Sequence, residues 1–185
     1  MLSGANRQAV LSLAHDLIRA RIPRFVAYEV VCHHRATMDS LNATEVEALG
    51  DGMSDWGEID SFGCFIAGPA WRDGRVPDRV IRNWTRSPDW CWRRAALVST
   101  VALNCKARGG EGDAVRTLDI CLRLKDDRHD MIEKALSWAL RELAKRDDAS
   151  VRRFLAEHGE ELPARVRREV GNKLTTGLKN PRRVP

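Results

Sequence analysis

Three stretches of the chain carry residues whose types and spacing could do chemistry. In "DWGEIDSFGCFIAGPAW", residues 55–71, Trp56, Asp60, Gly63 and Ala67 fall at i, i+4, i+7 and i+11. On a helix that spacing is one edge, with an indole, then a carboxylate, then only small side chains. The small residues leave room for something bulky beside the acid. Read alone, Asp60 is equally a plain surface acid or half of an ion pair. In "SPDWCWRRAALVSTVALN", residues 87–104, Arg94 heads a row with Val98, Val101 and Cys105. A guanidinium at the head of an apolar row needs a carboxylate or a phosphate. A structural salt bridge would satisfy it as well as a ligand would. In "KALSWALRELAKRD", residues 134–147, Leu136, Leu140 and Leu143 form the apolar stripe. Trp138 lies roughly 160–200° away from that stripe at about 100° per residue. Its neighbours on the far side are Lys134, Arg141 and Lys145.

An indole offers a flat polarisable face that attracts cations and stacks on sugars and bases. Lys134, Arg141 and Lys145 around Trp138 would hold phosphates. A carboxylate such as Asp60 on that basic, aromatic face would repel phosphates, so its presence calls for a cationic target. Alkylated purine nucleosides are cationic. So is the oxocarbenium-like sugar formed when a glycosidic bond opens, a species carboxylates commonly stabilise.

The elements that must position these residues are helical. The 185 residues carry 43% apolar and 31% charged side chains, the balance of a globular chain of one domain, 1–185. No alternating Val/Ile/Thr run bounded by hairpin turns occurs. Helices are predicted near 6–21, 23–38, 43–50, 54–70, 77–86, 89–107, 112–124, 130–146, 148–158 and 162–178. Pro23, Pro77 and Pro163 fit first-turn positions, Pro69 and Pro88 fit ends or connections, and Ser87 is an N-cap candidate with Pro88 in the first turn. The helix after it is apolar nearly all round and should be central. Starts near 43, 77, 112 and 147 are spaced by 34–35 residues. That period fits an all-α superhelical stack of antiparallel helix pairs, an α-solenoid with a concave face, in preference to an irregular bundle.

Charge is distributed unevenly. From Trp138 to Pro185 there are 12 Lys/Arg and 7 Asp/Glu, a surplus of five, which equals the net charge of the whole chain. The last quarter therefore suggests an anionic partner such as nucleic acid. The tail over 179–185 is basic. Five cysteines, an odd number without a C-x-x-C, read as reduced thiols and not as a disulfide or zinc framework. "CHH" at 32–34 puts three donors side by side, which on a helix point in different directions, so no metal is expected. No apolar run reaches a membrane span and the N-terminus has no secretory pattern, so a cytoplasmic location is expected.

These stretches resemble the bacterial DNA alkylation-repair glycosylases of the AlkD type, which are built from HEAT-like helical repeats. The resemblance is strongest over 40–178 and weak before it, where members usually carry further helices that grip DNA. Its carriers are "DWGEIDSF", "SPDWCWRRAAL" and "EKALSWALRELAKRDDASVRRFLAEH". The resemblance implies excision of N3- and N7-alkylated purines, such as 3-methyladenine and 7-methylguanine, from double-stranded DNA. It implies no metal and no organic cofactor; a monomer at the nucleoid is the default expectation for a repeat protein that clamps one duplex. It makes Asp60 the catalytic carboxylate, sets Trp56 and Trp138 against the deoxyribose and backbone, and has Arg94 help hold the DNA. Lys134, Arg141 and Lys145 would add phosphate contacts. The family includes members that bind DNA without excising bases, so a non-catalytic DNA-binding paralogue is the alternative, with a protein-binding scaffold behind it. Trp90 and Trp92 are given no DNA role.

Overall fold

The computed structural model describes residue 4 and residues 6–181. The end of the basic tail, 182–185, lies outside them. Chain order runs α1 (Arg7–Arg19), α2 (Arg24–His33), α3 (Arg35–Met38), α4 (Ala43–Gly50), α5 (Trp56–Phe62), a π turn (Gly63–Ala67), α6 (Gly68–Arg72), α7 (Asp78–Trp84) and α8 (Trp90–Asn104). A 3₁₀ turn (Lys106–Arg108), α9 (Ala114–Arg123), α10 (Asp130–Leu143), α11 (Asp148–His158) and α12 (Ala164–Thr176) complete it. No strand occurs among the described residues. The fold is an all-α helical-repeat solenoid.

The repeat is visible in where helices start. The first helices of successive pairs begin at Ala43, Asp78, Ala114 and Asp148, steps of 35, 36 and 34 residues. The second helices, α2, α5–α6, α8, α10 and α12, stack consecutively on one another. Contacts between them advance together along both helices of a stacked pair: Arg24 meets Glu58 and Tyr28 meets Phe62, while Asp130 meets Arg165 and Ser137 meets Glu169. Second helices therefore run parallel, as a solenoid requires. At the centre lies α8, with every residue from Arg94 to Asn104 buried. One continuous apolar core, including Trp71, Phe62 and Leu136, runs through the stack.

Helix starts follow from short polar caps. Asn42 and Glu45 form a reciprocal capping box on α4, and Asp113 and Asp147 cap α9 and α11. Four details differ from the sequence expectations. The start of α8 is capped by Asp89, whose carboxylate accepts from Cys91 N at 2.8 Å, and not by Ser87, which accepts from Asp89 N at 3.2 Å. Pro23, Pro77 and Pro163 sit at N-caps, one residue before the first turn. The helix expected over 23–38 breaks at His34, whose extended backbone and ring cap α3. Pro69 does not end its helix: the run continues to Arg72 because the π turn re-routes hydrogen bonding (Gly68 N donates to Gly63 O) just before the proline that lacks an N–H.

Candidate nucleic-acid interface

Asp60 sits in the second turn of α5. Asp55 starts that helix by accepting from the N–H groups of Gly57 and Glu58 at 2.7 and 3.0 Å, while Ile59 and Phe62 anchor it in the core. What brings α5 against α8 is the absence of side chains. A Cβ on Gly63 would lie 2.7 Å from Val98 Cγ1, and one on Gly68 would lie 2.5 Å from the Ala102 Cβ. Gly63 and Ala67 are buried. The space beside Asp60 that their small size suggested is thus filled by α8, and is not left open for a ligand. That close approach lets Arg94, one turn before Val98, reach the carboxylate. Arg94 Nε donates to Asp60 Oδ1 and Nη2 to Oδ2, both at 2.9 Å. Arg94 Nη1 donates to the carbonyl of Met131 in the first turn of α10. Arg94 is 5% exposed and its guanidinium faces Asp60 and Met131, the ion-pair arrangement of the two that the sequence left open. The Asp60 side chain keeps 19% of its surface. Burial pushes its carboxyl above the ordinary value of 3.8, against the opposing pull of Arg94.

Trp56 is the first residue of α5, one turn before Asp60, and is 59% exposed. Trp138 lies on α10 about 10 Å beyond Met131, seven residues at 1.5 Å each. It is half-buried: one side packs on the core and the other lines a cavity of about 550 Å³ between α10, α12 and the segment after α12. Lys134 and Arg141 line it with Trp138. Lys145 does not; it is paired with Glu142 at 2.6 Å, a turn further along. The structure therefore joins Asp60 to Arg94 directly and groups Trp138 with Lys134 and Arg141. It ties the two groups together through α10.

A family model described as DNA alkylation repair enzyme matches residues 5–174. The chain belongs to the DNA alkylation repair enzyme family. No curated protein and no solved structure matches it. The family match reaches back through α1, α2 and α3, so the part before residue 40, where the resemblance is weak, falls within the family match. Membership supports a role in DNA repair and DNA as the partner. No helix among the described residues is long and apolar enough to cross a membrane.

Within this repair-family fold three cations escape sequence reasoning. Arg165, Arg168 and Lys179 also line the Trp138 cavity. Arg165 and Lys134 share Asp130, at 2.6 and 2.7 Å. The i, i+3 spacing of Arg165 and Arg168 announces a basic face on α12, but only the stacking of α12 on α10 places it opposite Trp138. Trp92 packs edge-on against Phe62, 6.0 Å between centroids, and beside Trp84. Trp90 stacks on His129, which caps α10, with centroids 5.0 Å apart and planes at 15°.

Proposed function

We propose that this protein is a monofunctional DNA glycosylase that hydrolyses the N-glycosidic bond of cationic N3- and N7-alkylated purines in duplex DNA. The observation that carries the reading is Asp60: a partly exposed carboxylate, fixed by two 2.9 Å bonds to a buried arginine, in the helix layer that also carries Trp138 and the basic cavity. A carboxylate so held cannot turn away when positive charge develops near it, which is what electrostatic preorganisation requires.

The chemistry follows from the charge of the substrate. Alkylation makes the purine cationic, so when C1′–N9 breaks the bonding electron pair returns to the base and neutralises it. No side chain has to protonate the leaving group. Positive charge moves to the sugar, where Asp60 and the neighbouring DNA phosphates stabilise it. Water then adds to C1′, its proton passing to Asp60 or to solvent, and leaves an abasic site. Each Asp60 oxygen uses one lone pair to accept an N–H of Arg94 and retains a second for the sugar or the water. Arg94 acts here as the positioning residue for Asp60. Trp56 and Trp138 pack on the sugar and backbone, with cation–π attraction as charge grows. Lys134 and Arg141 contact phosphates. The reading uses no metal and no organic cofactor.

A second reading is a DNA-binding member without excision, favoured by the commitment of both Asp60 oxygens to Arg94. One experiment separates the two. Methylated duplex DNA is incubated with the protein, with and without EDTA, and released purines are measured by mass spectrometry beside Asp60→Asn. Excision predicts free 3-methyladenine or 7-methylguanine from the wild type regardless of EDTA. It predicts none from Asp60→Asn, which still binds abasic DNA. Release by the variant at the wild-type rate sinks the assignment of Asp60; binding without release by the wild type establishes the second reading.

A further inference from the structure

Glu169 is a buried carboxylate on α12, 5% exposed, and it is surrounded by donors and cations. Its Oε2 accepts from Ser137 Oγ at 2.6 Å and lies 3.4 Å from Lys179 Nζ, while Oε1 lies 3.9 Å from Arg168 Nη2. The same Ser137 hydroxyl accepts from Arg141 Nε at 3.2 Å. Glu169 thus gathers three cations at one wall of the Trp138 cavity, one of them through a serine. At the other wall Asp130 holds Lys134 and Arg165. Five cations face two carboxylates, a surplus of three.

Arg141 is the member that does not balance. Desolvation lowers its pKa from the ordinary arginine value, opposed by Glu169 and Glu142. It has no ion pair within 4.0 Å among the described residues, and its only hydrogen bond there uses Nε. Among the described residues its two terminal nitrogens have no partner, yet they are not sealed from solvent, since the one buried side-chain polar atom there without a partner is Arg75 Nε. They open onto the cavity. A half-desolvated guanidinium fork presented to a cavity matches the paired oxygens of a phosphate. Arg168 and Lys179 keep 62% and 43% of their side-chain surface, so both can swing from Glu169 to an incoming anion.

We propose that this cavity is a backbone-phosphate subsite, in which Arg141 takes the non-bridging oxygens and Arg168 and Lys179 close over them. Trp138 packs against the adjoining sugar. The subsite rests on the reading that DNA lies across this helix layer, and it adds α12 and the segment after it to the interface. Glu169 acts as the resident counter-ion that keeps the cations gathered while the subsite is empty.

The test is the salt dependence of duplex binding by fluorescence anisotropy over a NaCl series. Removing one phosphate-neutralising cation reduces the slope of log K against log salt by about 0.9. Arg168→Ala with Lys179→Ala, both at exposed side chains, should reduce it by about 1.8 on that scale, and adding Arg141→Gln by about 0.9 more. The charge-matched control is Arg79→Ala with Arg153→Ala, on α7 and α11, with the wild-type slope expected. A double variant that keeps the control's slope overturns the subsite, whether or not the wild type excises purines. A reduced slope in a protein that releases no purine upholds the subsite and defeats the glycosylase reading alone.

Discussion

Replacing Asp60 by Asn removes one charge from a nearly dry pair. The Arg94 side chain keeps 6% of its surface and Asp60 keeps 19%, so water can replace little of the missing interaction. Breaking a buried pair by removing one partner costs about 3–5 kcal/mol. Asn retains one acceptor for Arg94 but turns an NH₂ toward its other N–H, and Met131 O still takes Nη1, which places the loss near the low end, about 3 kcal/mol. For a chain of this size that is a fall in Tm of about 6–12 °C. Arg94→Met alone leaves the carboxylate half-desolvated without its cation, at about 2 kcal/mol because Asp60 can draw in water or a proton. In the double variant neither charge is stranded, so the combined loss should fall short of the sum by about 2 kcal/mol. Urea denaturation of the four proteins at neutral pH measures this directly. Losses that add to within about 0.5 kcal/mol would mean that Asp60 and Arg94 are not coupled in solution, and Asp60 would then be held in some other way. The same numbers set the temperature for excision assays on Asp60→Asn, which must be run where the variant is folded.

Further outcomes follow from the same contacts. Gly63→Ala drives a methyl to 2.7 Å from Val98 Cγ1, so it should destabilise by about 1–3 kcal/mol and loosen Asp60 from Arg94; a wild-type melting temperature would refute the close approach of α5 to α8. Trp56→Ala touches a largely exposed side chain, so stability should stay within about 0.5 kcal/mol while affinity for abasic duplex falls by about 1–3 kcal/mol; unchanged affinity would remove Trp56 from the interface. Excision needs Asp60 ionised, so its rate should rise with pH through a limb centred above 3.8. Arg94→Met removes the group that lowers that pKa, so the limb should move to higher pH, and coincident limbs would refute the pairing. Because the folded pKa is raised, Asp60 contributes stability at acid pH that is lost as pH rises through its folded value.

Much of the molecule is legible in one dimension. Caps, prolines and apolar spacing act within a few residues, so helix positions, the 35-residue step and the central place of α8 could be read directly. The types and spacing of Trp56, Asp60, Arg94 and Trp138 were enough to suggest a cationic target on DNA. The π turn at Gly63–Ala67 was not legible, because Pro69 permits either an end or a continued helix, and the continuation goes with packing against α8.

What the chain alone could not decide was which residues meet. A helical period places side chains on a face but does not say what covers it. Gly63 and Ala67 looked like room for a ligand and are room for Val98 and its neighbours. Arg94 could have met phosphate or carboxylate, and the register of α5 on α8 chose Asp60. Lys145 shares a helix row with Trp138 but sits a turn too far to line its cavity. Arg168 and Lys179, tens of residues away, do line it. Local propensity works over the few residues of a turn; these pairings depend on how parallel helices some 34–40 residues apart slide against one another, and that register is set by the summed packing of the core.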